Sequence, residues 1–321
     1  MMKANSLQNY LEGLHRKLAG IDAGAVASYI PELLKADPAG FGIALTTVDG
    51  HVYQAGDSRQ PFTIQSISKV VTYGLALEDR GTEAVLAKVD VEPSGEAFNS
   101  ISLEPETGRP RNPMINAGAI ATVALVEGNP PEAKFAHMLQ CYENYLGHPV
   151  RLDEDVYRSE KSTGHRNRAI AHLLRNSTII EKEPDDVLDV YFKQCSLLVT
   201  CEDLALIGAT LANNGVNPKT GIRALQDRYV PAVLSVMSSC GMYDYSGAWI
   251  YTIGMPAKSG VGGGIVAVLP GQFGLAVFSP RLDERGNSVR GLAVCKKLSA
   301  DFGLHMFHQS EGFSWRLNCP C

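Results

Sequence analysis

The sequence predicts an α+β protein: an antiparallel sheet of about five strands flanked by helices, with a mainly helical subdomain inserted into it. Three observations lead there. Early in the chain Ile43, Leu45 and Thr47 alternate with Ala44 and Thr46, Asp49-Gly50 supplies a two-residue turn, and Val52-Tyr53 begins a return, the mark of a hairpin. Residues 81–200 lose that alternation and carry helical spacings and loop-rich stretches instead. Strand-like runs return in the last third, at residues 265–269 and 273–278, on either side of Pro270-Gly271-Gln272. Strands from both ends of the chain meet in one sheet if they are to bury their apolar faces. The sheet-containing subdomain is therefore assigned to residues 1–65 plus 245–321 and the helical one to residues 66–244, as one catalytic unit with the site between them.

Taken in order, residues 7–34 read as helix with a break around residues 20–24, and Tyr29 falls in the second part, just before Pro31. The hairpin occupies residues 41–57. From Ser66 apolar residues recur on one side, at Ile67, Val70, Val71, Leu75 and Leu77, and Gly81 stands where such a helix would stop. Residues 91–112, rich in Pro, Ser, Gly and Glu, are an irregular connection. Asn116 opens a run of small residues that suits a tightly packed helix, and Pro131 starts another, with Phe135, Met138, Leu139 and Tyr142 at apolar spacing. Glu160 and Asn167 flank a loop-like Ser162-Thr163-Gly164. Thr200-Cys201-Glu202-Asp203 is a capping-box-like helix start, ending near Asn214-Gly215. A helix passes through residues 232–236, and Gly241-Met242-Tyr243 follows. Trp249-Ile250-Tyr251 reads as strand, Ala257-Lys258-Ser259-Gly260 as another, and residues 289–302 as a closing helix.

Composition removes several classes of function. Apolar content of 45% and charged content of 20% are ordinary for a globular protein, and a net charge of −5 offers no basic face for nucleic acid. No run of about 18 apolar residues occurs, so no membrane span is expected. The start of the chain lacks an apolar signal segment, and seven scattered cysteines suit a reducing compartment, so a cytoplasmic location is expected.

Chemistry concentrates at Phe62-Thr63-Ile64-Gln65-Ser66-Ile67-Ser68-Lys69. Lys69 would lie on the same helix face as Ser66, one turn on and within reach of its hydroxyl. A serine hydroxyl becomes a useful nucleophile when a neighbouring base takes its proton, and lysine serves if burial lowers its pKa. Unpaired backbone N–H groups at a helix start suit an oxyanion. The pattern is S-x-x-K, an acyl-transfer signature.

An S-x-x-K after an early hairpin and a Lys-Ser-Gly on a late strand is the layout of the penicillin-binding protein and β-lactamase architecture. Closer still, the chain resembles the serine-dependent glutaminase family over about residues 20–305. The resemblance rests on Gln65-Ser66-Ile67-Ser68-Lys69, Asn112-Pro113-Met114-Ile115-Asn116-Ala117-Gly118-Ala119, Glu160 with Asn167, Tyr191-Phe192-Lys193-Gln194-Cys195-Ser196, Gly241-Met242-Tyr243-Asp244 and Lys258-Ser259-Gly260-Val261-Gly262-Gly263-Gly264, in unchanged order. It implies hydrolysis of L-glutamine to L-glutamate and ammonia by a homodimer or homotetramer. Ser66 would be the nucleophile, Lys69 the base and Tyr243 the proton relay to departing ammonia, with Tyr191 close by. The N–H groups of Ser66 and Val261 would hold the oxyanion, and the glycines after Val261 would let backbone approach the substrate. Substrate contacts would fall on Tyr29, Gln65, Ser66, Asn116, Glu160, Asn167, Tyr191, Tyr243 and Val261. The residue types suit a zwitterion: a carboxylate for the ammonium and amide and phenol donors for the carboxylate. Amide hydrolysis by an activated serine needs neither metal nor organic cofactor.

Rival readings exist. Asn116 could cap its helix, Glu160 and Asn167 could be solvated surface residues, the three tyrosines could be packing residues, and Lys258-Ser259-Gly260 an ordinary strand end. Gly262-Gly263-Gly264 lacks the G-x-x-x-x-G-K-[ST] of a phosphate loop. His305 and His308 with Cys319 and Cys321 fit no closed zinc site well. Lys258-Ser259-Gly260 stands where β-lactamases commonly show Lys-Thr-Gly, and Tyr191-Phe192-Lys193 where they show Ser-Asp-Asn or Tyr-x-Asn. Both departures argue against β-lactam and cell-wall substrates. Ankyrin-like repeats and a targeting extension, found in some larger relatives, are expected to be absent, as in a bacterial short form. Another S-x-x-K esterase or peptidase, or a non-catalytic glutamine-binding protein, are the alternatives.

Overall fold

The computed structural model describes residues 4–96 and 100–308. Helix α1 (Ala4–Leu18) leads to a two-residue strand β1 (Ala25–Val26), a 3-10 turn at Pro31–Lys35, and the hairpin β2 (Gly42–Thr47) and β3 (Val52–Gly56). Strand β4 (Phe62–Thr63) runs through a second 3-10 turn, Gln65–Ile67, into α2 (Ser68–Leu86), which Gly81 interrupts at φ 76°. The middle holds α3 (Asn116–Leu125), α4 (Pro131–Leu146), β5 (Arg151–Leu152), α5 (Glu154–Thr163), α6 (His165–Asn176), α7 (Pro184–Cys195), β6 (Leu197–Val199), α8 (Cys201–Ala212) and α9 (Val230–Cys240). The chain closes with α10 (Ser246–Thr252), β7 (Ala257–Gly260), β8 (Gly264–Leu269), β9 (Phe273–Phe278), β10 (Arg281–Leu282) and α11 (Val289–Phe302).

Five strands form one antiparallel sheet in the order β3-β2-β9-β8-β7, so both ends of the chain contribute, as expected. Residue parity then divides the core. Ile43, Leu45, Ile265, Leu275 and Val277 face α1 and α11, packing with Leu7, Leu11, Val294 and Leu298. Ala44, Val266, Val268 and Ala276 face the other way, toward Leu204, Ile207 and Leu211 of α8. With helices on both faces, every residue of β2, β8 and β9 is buried. Each large aliphatic side chain so buried contributes about 1.5–3 kcal/mol. Helix α8 lies close enough to β9 that a Cβ on Gly274 would sit 2.2 Å from the Ala209 backbone nitrogen. Thr200 starts α8 with a full capping box to Asp203.

Four local expectations are corrected. Residues 25–30 are not helix, and Pro31–Lys35 is a 3-10 turn: Ala25 and Val26 pair with Leu282 and Arg281, partners that no local pattern can announce. The β2–β3 turn is longer than two residues, because Thr47 and His51 are still hydrogen-bonded across it and Gly50 takes φ 84°. Trp249, Ile250 and Tyr251 are helical, in α10. Trp249 is fully buried with its indole N–H donating to Met255 O at 2.7 Å, while Tyr251 is 86% exposed, an in–out pattern that three residues cannot tell from a strand. Ser162 and Thr163 continue α5, and the break is at Gly164 alone. The irregular connection of residues 91–112 stands, apart from a bridge between Leu103 and Pro110; residues 97–99 lie outside the described residues.

Candidate active site

Ser66 is placed by a strained turn. Strand β4 is held by Ile64 N–H donating to Leu197 O at 2.8 Å, after which Gln65 adopts φ 50°, a left-handed conformation that a residue with a Cβ enters only when its surroundings enforce it. Ser68 Oγ donates to Gln65 O at 2.7 Å and closes the turn. Ser66 thus sits in the 3-10 turn just ahead of α2, only 8% exposed. Its side chain interacts with that of Tyr243, the other strained residue of the site at φ 56°. Burial raises the Tyr243 phenol well above its ordinary pKa, against the pull of Ser66, so it stays protonated.

Lys69 points into the protein from the first turn of α2. Its amine donates to Asn116 Oδ1 at 2.7 Å and to Met114 O at 3.2 Å, and lies 5.6 Å from the centre of the Tyr243 ring. The expected direct contact with Ser66 is therefore not what holds it: an amide and a carbonyl at the start of α3 are the acceptors. Burial lowers Lys69 to about 8, opposed by the charge of Glu160. Asn116 does not cap α3, whose N-cap is Ile115. Its side chain joins two walls, accepting from Lys69 and donating through Nδ2 to Asn167 Oδ1 at 3.0 Å.

Beside this group lies a cavity of about 100 Å³ lined by Tyr29, Asn116, Glu160, Gly164, Arg166 and Asn167 among others. Glu160, on α5, is buried rather than solvated, and burial pushes its carboxyl up to about 7 against the bonds from Tyr29 and Gln65 and the charge of Lys69. Tyr29 donates to Gln65 Oε1 at 2.8 Å and bonds Glu160 as well. Its ring lies outward, leaving the residue 45% exposed while the hydroxyl turns inward. Tyr191, on α7, is 3% exposed, and burial raises its phenol far above the usual range, with Cys195, Glu160 and Tyr243 as neighbours. Cys195 itself is pushed up to about 12 by burial, so it is an inert thiol and not a nucleophile.

Val261 occupies the turn between β7 and β8, closed by Gly263 N–H donating to Gly260 O at 3.0 Å. That turn lies against the Ser66 segment: a Cβ on Gly262 would meet Thr63 O at 2.6 Å, and one on Gly260 would meet Ile64 O at 3.0 Å. Here the expectation shifts, since the close approach Gly262 permits is to the backbone of residue 63. Gly263 is needed for its φ of 96°.

The structure thus gathers Ser66, Lys69, Tyr243, Tyr191, Gln65, Tyr29, Asn116, Glu160, Asn167 and the Val261 turn into one region, from five α-helices and four loop or turn segments. Two neighbours were not singled out as site residues. Lys258 is fully buried on β7, its amine 3.9 Å from the centre of the Tyr243 ring and bonded to Ser259 O at 2.6 Å. Burial and the Lys69 charge lower its pKa well below the ordinary value. The Lys-Ser-Gly motif was its only signal. Arg166 lines the cavity, and its adjacency to Asn167 was the available clue. Chemically, the centre offers a hydroxyl, an amine poised to lose its proton, a phenol and a buried carboxylate around a space suited to a small molecule. Cys319, Cys321 and the rest of residues 313–321 lie outside the described residues.

A family model described as Glutaminase matches residues 24–307. A glutaminase of Trichormus variabilis is 53% identical over all of this chain and 97% of its own length. The crystal structure of Mglu in its glutamate form superposes with a TM-score of 0.91 at 45% identity, covering 94% of this chain and 70% of that one. A Bacillus subtilis probable glutaminase superposes at 0.88 with 36% identity, covering 94% of this chain and 98% of that one.

Proposed function

The chain belongs to the glutaminase family and hydrolyses L-glutamine to L-glutamate and ammonia, and we propose that it does so through a glutamyl ester on Ser66. Glutamine enters with its ammonium against Glu160 and its carboxylate among Asn116, Asn167 and the Tyr29 hydroxyl, while Gln65 and Tyr191 fix the side chain. Ser66 Oγ attacks the carboxamide carbon. Its proton passes by way of the Tyr243 hydroxyl toward Lys69, the amine that lies beside the same ring. The oxyanion is held by the N–H groups of Ser66 and Val261. The C–N bond breaks as Tyr243 protonates the nitrogen, and ammonia leaves. Water then adds to the ester with the same groups in reverse: its hydroxyl goes to the carbonyl carbon, its proton returns to Ser66, and glutamate departs.

The observation that carries this route is the placement of Lys69. It is buried, brought to about 8, and beside the phenol whose hydroxyl meets the nucleophile. Ammonia release measured for Ser66→Ala and Lys69→Ala beside the wild type tests it. Each variant is expected to lose turnover, and near-normal activity in either removes the route. A diazo-ketone norleucine adduct located by mass spectrometry should fall on Ser66. The cytoplasm is the proposed location, supported by five free cysteines, all buried, among the described residues. No helix among the described residues is long and apolar enough to cross a membrane. A homodimer or homotetramer is the proposed assembly, to be read from sedimentation equilibrium.

A further inference from the structure

The substrate is a zwitterion, and the wall described above meets only one of its charges with a charge. Glu160 answers the ammonium. The groups around the carboxylate are neutral, and Asn116 keeps only one N–H to offer, its amide oxygen being taken by Lys69 and its other N–H by Asn167. Arg166 lines the same cavity from the first turn of α6, next to Asn167. Its guanidinium has no hydrogen bond or ion pair to any other described residue. The two other basic groups of the centre, Lys69 and Lys258, lie beside Tyr243, and Lys69 is already bonded to Asn116 and Met114. Helix α6 adds to the positive side: its N-cap is Gly164, which has no side chain to satisfy the first-turn N–H groups and itself borders the cavity. The cavity is therefore walled by one buried carboxylate and one unengaged guanidinium, the complement of a free amino acid.

We infer that Arg166 binds the free α-carboxylate of the substrate, and so restricts the enzyme to glutamine whose carboxyl end is not blocked by an amide or peptide bond. This rests on the glutaminase reading and assigns a specificity-determining residue within it. A guanidinium presents paired N–H donors in a planar fork that matches both carboxylate oxygens, which a neutral α-carboxamide cannot reproduce. Because Arg166 is exposed at the mouth, its interaction is partly screened, and it acts on binding rather than on the bond being broken.

The test compares L-glutamine with L-glutaminamide, in which only the α-carboxylate is replaced. Wild type is expected to prefer glutamine in kcat/KM. Arg166→Gln should raise the KM for glutamine about ten- to a hundredfold, the range of a charge-assisted hydrogen bond, with kcat within about twofold. Its kcat/KM on glutaminamide should be nearly unchanged, which also shows that the variant is folded and catalytically intact. Arg166→Lys should recover part of the lost affinity. A preference for glutamine that survives intact in Arg166→Gln, or equal losses on both substrates, overturns the assignment. A wild type inactive on glutamine overturns the glutaminase reading itself, and is read without any variant.

Discussion

The buried carboxyl of Glu160 makes substrate binding depend on pH in a way that can be worked through. In the free enzyme burial raises it from 4.5 to about 7, and only its ionised form attracts the ammonium of glutamine. Below pH 7 the ionised fraction falls, by about fivefold from pH 7 to pH 6 and by roughly tenfold more by pH 5, and KM should rise by the same factors. Stability should move the other way. A carboxyl whose pKa is raised on folding holds its proton more tightly in the native state, so between about 7 and 4.5 stability increases as pH falls. Above pH 7 the ionised, buried group costs roughly 3 kcal/mol, at about 1.4 kcal/mol per pH unit of displacement. Steady-state ammonia release from pH 5 to 8 measures the first effect and urea melts at the same pH values the second. Glu160→Gln should have a high KM that no longer varies across this range, together with a flattened stability profile. A wild-type KM constant from pH 6 to pH 8 would refute the assignment of Glu160 to the ammonium.

Other consequences can be checked alongside. Tyr243→Phe keeps the ring between Lys69 and Lys258 but removes the hydroxyl that meets Ser66, so kcat should drop by at least about a hundredfold with little change in melting temperature. An unchanged rate takes that phenol out of the chemistry. Lys258→Met replaces a fully buried amine, which burial and Lys69 hold far below its usual pKa, with an apolar chain of similar length. The melting temperature should rise and kcat fall, and a rise without loss of kcat would make Lys258 dispensable to the reaction. Gly274→Ala sets a methyl against the Ala209 backbone nitrogen and should cost about 1–3 kcal/mol in denaturant unfolding by prising α8 from β9.

Much of the architecture was legible because its causes are local. The alternation in β2, the turn residues between β8 and β9, the Thr200 capping box and the small-residue run of α3 each reflect a constraint acting over a few neighbouring residues. The failures share one cause. Ala25 and Val26 are strand because Arg281 and Leu282 supply their partners, and Trp249 is helical because its indole finds Met255 O in a fully packed site. The first partners come from the far end of the chain, and the second is a nearby backbone carbonyl, which residue types do not announce. The site divides likewise. Its residue types could be found by motif order, whereas the burial of Glu160 could not, since helix α5 is otherwise largely polar and only packing turns that one carboxylate inward.

What the sequence determined alone was an inventory and a topology: a serine and a lysine one turn apart, residues suited to a zwitterion, and strands at both ends that had to join. Tertiary structure decided the partnerships. It turned Lys69 to Asn116 and Met114, gave Ser66 to Tyr243, and set Lys258 and Lys69 on one phenol ring. The physical reason is that pairing and burial depend on which surfaces are brought together across tens to hundreds of residues, and burial then sets which of these groups carry charge near neutral pH.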